Sequence, residues 1–150
     1  MEMFSDEYFM KQALREAYLA AEQGEVPVGA VVVSQGMVLA RAHNSVELLT
    51  DVTAHAEIIA ITAAMQHLDS KYLPECTLYV TLEPCPMCAG ALKWSQIDRV
   101  VYGAADDKGG FMKFGKEMLH PKTKLEFGVL QEECGAILKD FFAAKRQLTS

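Results

Sequence analysis

Nowhere does this sequence hold an apolar run near the ~20 residues a membrane-spanning helix requires; the run from Val26 to Val33 falls far short. The opening Met1-Glu2-Met3-Phe4-Ser5-Asp6 has no basic stretch leading into an apolar one, so no secretory signal is expected. Cysteine is scarce, four residues in 150, which argues against a disulfide framework and for a reducing compartment, the cytoplasm. Positive charge is not in surplus. A formal net charge of −6 excludes a nonspecific nucleic-acid coat, yet leaves room for a local basic patch. Repeats, low-complexity stretches and long linkers are also lacking, so residues 1–150 are expected to form one domain. What is present is 51% hydrophobic and 23% charged residues, the balance of a soluble globular protein with a real core.

The apolar pattern predicts a helix over 6–23, capped by Ser5 or Asp6 and ended by Gly24 and Pro27. Val28 to Val33 reads as a strand, Ser34-Gln35-Gly36 as a turn, and Met37 to Ala42 as the antiparallel return. Asn44 to Val52 is a loop. The next helix is expected to be capped at Thr53 or Ala54, with Thr53 better by side chain. From Ile58 to Met65 that helix is apolar nearly all round, the mark of burial on more than one side. Strand Thr77–Leu82, helix Pro86–Trp94 and strand Val100–Gly103 make a crossover unit, so these strands should be parallel. Residues 104–124 are irregular, with a helical turn around Phe114 to Leu119; Leu125–Leu130 is a last strand and Glu132–Gln147 a last helix. The sum is an α/β chain with one five-stranded mixed sheet and helices on both faces.

Two short motifs carry chemistry. Cys85 and Cys88 in Glu83-Pro84-Cys85-Pro86-Met87-Cys88 are three apart, on one face of a helix's first turn. Free N–H groups and the positive helix end favour thiolate there, the form that binds metal. His55 offers a third, imidazole ligand. Three protein ligands leave one tetrahedral position open, as catalytic zinc sites do. Glu57, two residues on from His55, suits proton transfer better than ligation, which would close the site. A redox Cys-x-x-Cys would need no His-x-Glu upstream. A structural knuckle would want two more ligands at similar spacing, and Cys76 and Cys134 do not supply them; they read as buried thiols.

His55-Ala56-Glu57 with Pro84-Cys85-Pro86-Met87-Cys88 resembles the zinc deaminase signature. The runs Glu25 to Val31, Asn44, Thr53 to Ile58, Thr77 to Ala91, Arg99 to Ala104 and Glu132 to Phe142 extend this. Over most of its length the chain resembles the bacterial tRNA-specific adenosine deaminases. The resemblance implies a three-layer α/β/α cytidine-deaminase-like fold, one Zn2+ per chain, and hydrolysis of adenosine to inosine at the wobble position of a tRNA anticodon loop. It makes Glu57 the proton carrier, gives the base to the Asn44 amide, and has Ala56 and Glu83 contribute backbone groups. Trp94 and Phe111 are candidates to stack on a base, although single aromatics are more often core. Val52 stands where the family commonly has proline, and the segment from Phe111 to Lys124 is shorter and lacks an Asn-His pair.

Two other functions compete. One is deamination of a free nucleobase, guanine or cytosine, on the same fold; Leu82-Glu83-Pro84-Cys85 favours the tRNA enzyme. The other is a zinc-stabilised RNA-binding module without catalysis, against which Glu57 and the open position argue. Lys108, Lys113, Lys116, Lys122 and Lys124 face the single acid Glu117 in their stretch, and Lys145 and Arg146 close the last helix. The acids crowd the N-terminal part at Glu2, Asp6, Glu7, Glu16, Glu22 and Glu25. That segregation offers an RNA backbone a positive face. The all-round apolar helix, with Met87, Ala89, Ala91, Leu92 and Trp94 beside it, predicts a homodimer.

Overall fold

The computed structural model describes residues 5–149. Helix α1, Asp6–Glu22, begins where Ser5 Oγ accepts from the Tyr8 N–H, with Asp6 and Glu7 set against the positive helix end. Its inner face is Phe9, Met10, Ala13, Leu14, Ala17 and Ala20, and Gly24 leaves it at φ 77°. Strands β1 (Gly29–Ser34) and β2 (Met37–His43) form a hairpin. Gln35 and Gly36 both take positive φ, 52° and 78°, as the twist of a two-residue hairpin turn requires. Gly29 has no room for a side chain, because α1's backbone at Ala13 and Ala17 lies against it.

A four-residue helix, α2 (Val46–Leu49), occupies part of the expected loop. Helix α3 is Ala56–Leu68, β3 Cys76–Leu82, α4 Pro86–Ser95, β4 Arg99–Ala104, β5 Lys124–Phe127 and α5 Gln131–Thr149. Two short 3-10 turns, Phe111–Phe114 and Lys116–Met118, replace the single turn expected there. β5 is shorter than predicted because Gly128 and Leu130 turn the chain out at φ 89° and 54°.

The sheet order is β2-β1-β3-β4-β5. β1 pairs antiparallel with β2 and β3, while β3, β4 and β5 run parallel. Successive residues of the central strands enter opposite cores. Ala30, Val32, Leu78, Val80 and Val100 pack under α3 and α4. Val31, Val33, Tyr79 and Val101 pack under α1 and α5. These strands are therefore apolar at nearly every position, and α/β with helices on both faces is the fold.

Candidate active site

The site forms where the parallel strands end and two helices begin. His55 is the N-cap of α3 and Cys85 the N-cap of α4, both extended, and neither spends its side chain on its own helix. The cap expected at Thr53 is displaced, since Thr53 N and Oγ1 both donate to Asp51 Oδ1 in a tight turn before the helix. Pro86, at the first helical position of α4, has no N–H to leave unsatisfied. Cys88 follows one turn on, under Cys85.

The three donors converge. His55 Nδ1 is 3.6 Å from Cys85 Sγ and 3.5 Å from Cys88 Sγ, and all three donor atoms lie within 4.8 Å of one another. A tetrahedral zinc with Zn–S of ~2.3 Å and Zn–N of ~2.05 Å sets an S-to-N edge of about 3.6 Å. The donor set fits that ion in chemistry and in spacing. The hydrogen bond from the Cys88 thiol, with help from His55, holds Cys85 down at about 4. The same bond, then burial, pushes Cys88 up, and the bond to Cys85 raises His55. Both sulfurs must be thiolates to hold a metal, so binding weakens as pH falls.

Glu57 stands in the first turn of α3, 4% exposed. Burial pushes its carboxyl up to about 7, and a dication held by the three donors would draw it back toward the ionised form. Asn44 Oδ1 accepts from the Ala56 N–H at 2.8 Å. Only an oxygen can face that donor, so the amide's N–H2 end is the one left to face the cavity. The Ala56 N–H is thereby spent on orienting Asn44.

Asn44, His55, Glu57 and Cys85 floor a cavity of about 380 Å³, walled by Val26, Val28, Val46, Leu82, Asp106 and Lys145 among others. The Glu83 side chain braces the cavity. Its backbone N–H donates to the Ala104 carbonyl. Its Oε1 accepts from Asp106 N and its Oε2 from Met112 N, both at 3.0 Å. A side chain at Gly110 would collide with this carboxylate. Glu83 thus holds one cavity wall, the loop from 105 to 112.

Other sequence candidates fall in different places. Phe111 is fully buried under Tyr102, and Trp94, 83% exposed, lies on the outer face of α4, so neither lines the cavity. Lys108 is on the cavity loop, and Lys113 Nζ donates to its carbonyl at 2.7 Å. Lys145 lines the cavity, with Arg146 next on α5. Lys116 opens the second 3-10 turn, which the Lys93 Nζ to Glu117 carbonyl bond ties to α4. Lys122 is not brought to the site. With Lys124 it lines a recess beside Glu75 and Arg99, at the opposite ends of the parallel strands. Glu25, expected among the surface acids, is 2% exposed and lines the cavity; only its place just before the apolar run from Val26 to Val33 hinted at this.

The family profile described as MafB19-like deaminase matches residues 4–146. The tRNA-specific adenosine deaminase of Aquifex aeolicus is 49% identical over 145 residues, spanning 93% of this chain and 95% of its own. The chain belongs to the tRNA-specific adenosine deaminase family. Its counterpart from Bacillus subtilis is 46% identical over 150 residues, 97% of this chain and 93% of that one. Among solved structures, one from studies of A-to-I editing by tRNA:A34 deaminases at the wobble position superposes with a TM-score of 0.82 at 44% identity, covering 87% of this chain and 99% of that one. The guanine deaminase of Nitrosomonas europaea superposes with a TM-score of 0.80 at 26% identity, covering 93% and 85%. The family carries the cytidine-deaminase-like fold, and this chain has its five-stranded mixed sheet.

Proposed function

We propose that this protein hydrolyses adenosine to inosine and ammonia at the wobble position of a tRNA anticodon loop, as a zinc enzyme. The observation that carries the chemistry is the open His55–Cys85–Cys88 set beside buried Glu57 on a cavity floor. The choice of substrate rests on relatives that are tRNA-specific adenosine deaminases across nearly their whole length.

His55, Cys85 and Cys88 hold the metal, and the N-terminal ends of α3 and α4 lend positive potential to both thiolates. When bound, zinc activates a water as nucleophile near neutral pH. Glu57 takes a proton from the attacking water and gives it to the ring nitrogen; it then takes the second proton from the hydroxyl now on the attacked carbon and passes it to the amine, which leaves as ammonia. The N–H2 end of Asn44 holds the base within the cavity. A loop nucleotide is unpaired already, so extruding it into a 380 Å³ cavity costs less than flipping one from a duplex.

The working unit in this reading is a cytoplasmic homodimer, each chain a single domain. The outward face of α3 and α4 supports the pairing: Ile58, Met65, Tyr72, Ala91 and Trp94 border a groove of about 490 Å³, and solvent-facing apolar surface of this kind marks an interface. Four unpaired cysteines fit a reducing compartment. The decisive experiment is sequencing of tRNA treated with the pure protein, with free adenine, guanine and cytosine assayed alongside. Inosine at the wobble position is expected; turnover of a free base without change in tRNA would overturn the substrate.

A further inference from the structure

Glu25 is a buried carboxylate on the segment between α1 and β1, tied there by its N–H bond to the Ala20 carbonyl. Burying such a group is costly without donors to face it. Two are present. The Glu47 N–H donates to Oε1 at 3.1 Å and the Leu48 N–H to Oε2 at 2.8 Å. These are the second and third amides of α2, the ones an N-cap side chain ordinarily satisfies. The helix's own cap residue does not serve them. Ser45 sits at φ −138°, ψ 33° and turns its hydroxyl to the His43 carbonyl at 3.1 Å.

A four-residue helix does not hold itself together, because nucleation costs more than one turn returns. The cap arrives instead from more than twenty residues upstream. What it steadies is a cavity wall, since Val46 and Glu47 of α2 and Asn44 just before it all line the cavity. The opposite wall is held in the same manner, by Glu83 on two amides of the 105–112 loop.

We propose that Glu25 is a positioning residue: its carboxylate caps α2 across the chain and fixes the Asn44–Glu47 wall at the width that grips the target nucleotide. This rests on the deaminase reading above. Glu25 does not touch the metal donors, so its loss weakens the grip and leaves the chemical step alone. In Glu25→Gln one oxygen still accepts, but an amide N–H2 group now faces the other backbone donor.

The test uses zinc-loaded protein, an anticodon stem-loop, and amide hydrogen exchange by NMR. Glu25→Gln should raise KM about tenfold while kcat stays within about threefold and zinc content is unchanged. In the parent, the Glu47 and Leu48 amides should exchange slowly; in the variant they should exchange faster, while those of Val31 and Val80 do not change. A parental KM in the variant, a fall confined to kcat, or loss of zinc overturns the proposal. So does free-chain exchange at Glu47 and Leu48 in the parent, which decides the matter even where the variant does not fold. A parent that turns over no stem-loop defeats the deaminase reading instead, while slow exchange at those two amides still upholds the cap.

Discussion

Glu57 and Cys88 sit within one small cluster, both nearly sealed from solvent, and their removal should have opposite signatures. Cys88→Ala deletes one of three metal donors, so the protein should lose most of a zinc content that elemental analysis finds near-equimolar in the parent. Glu57→Ala deletes a proton carrier and no donor. Zinc and fold should remain, with activity down by ~10²- to 10⁴-fold. Activity within tenfold of the parent would assign Glu57 the wrong role, and an active, zinc-free Cys88→Ala would remove the metal from the chemistry. Gly110 is fixed by the same crowding: any side chain there meets the Glu83 carboxylate.

Among elements, α1 is tied to the sheet by charge as well as by packing. Arg99 on β4 donates through two nitrogens to the two oxygens of Asp6, at 2.9 and 2.7 Å. The Tyr79 hydroxyl also donates to Asp6, and Arg99 reaches on to Glu126 on β5. The Arg99 guanidinium beside Asp6 holds that carboxyl below its ordinary 3.8. The sign follows from linkage: a carboxyl lowered in the folded state stabilises fully above its unfolded value and loses that contribution as pH falls through the folded one. Relative to Asp6→Asn, the parent should be more stable at pH 6 in urea titrations, and the advantage should shrink below about pH 4 and in high salt. An advantage that grows with acid would refute the assignment. The Asp6–Arg99 pair spans 93 residues, so no local pattern announced it. What the sequence made legible was periodic or closely spaced: strands and helices to within a few residues, and His55, Glu57, Cys85 and Cys88 through their motif. Helix ends were less legible, since Thr53 looked the better cap and Asp51 claimed it. Long-range carboxylate contacts such as those of Glu25 left no trace in spacing at all.

At the scale of the whole molecule, charge and apolar surface each make a prediction. The lysines near the cavity, Lys108 and Lys113, stand apart from Lys122 and Lys124 at the far ends of the parallel strands. If phosphates bind at the cavity mouth, Lys108→Ala/Lys113→Ala should weaken stem-loop binding and flatten its dependence on salt, while Lys122→Ala/Lys124→Ala should do neither. Equal salt slopes in all three proteins would leave the RNA without this footing. Trp94, 83% exposed on one chain, should be covered in a pair. Sedimentation at micromolar concentration should give twice the chain mass for the parent and a single-chain mass for Trp94→Glu; a monomeric parent would exclude the pairing. The tie between Asp6 and Arg99 also sets a timetable for biosynthesis. A ribosome adding ~5 to 20 residues each second needs roughly 5 to 20 s to cover the 93 residues between them. Until late in that interval the apolar stripe of α1, from Phe9 to Ala17, has Val31 and Val33 of β1 to pack on but lacks Tyr79 of β3 and Val101 of β4. Nascent chains arrested short of Arg99 should be cut by protease within α1, and chains arrested well beyond it should resist.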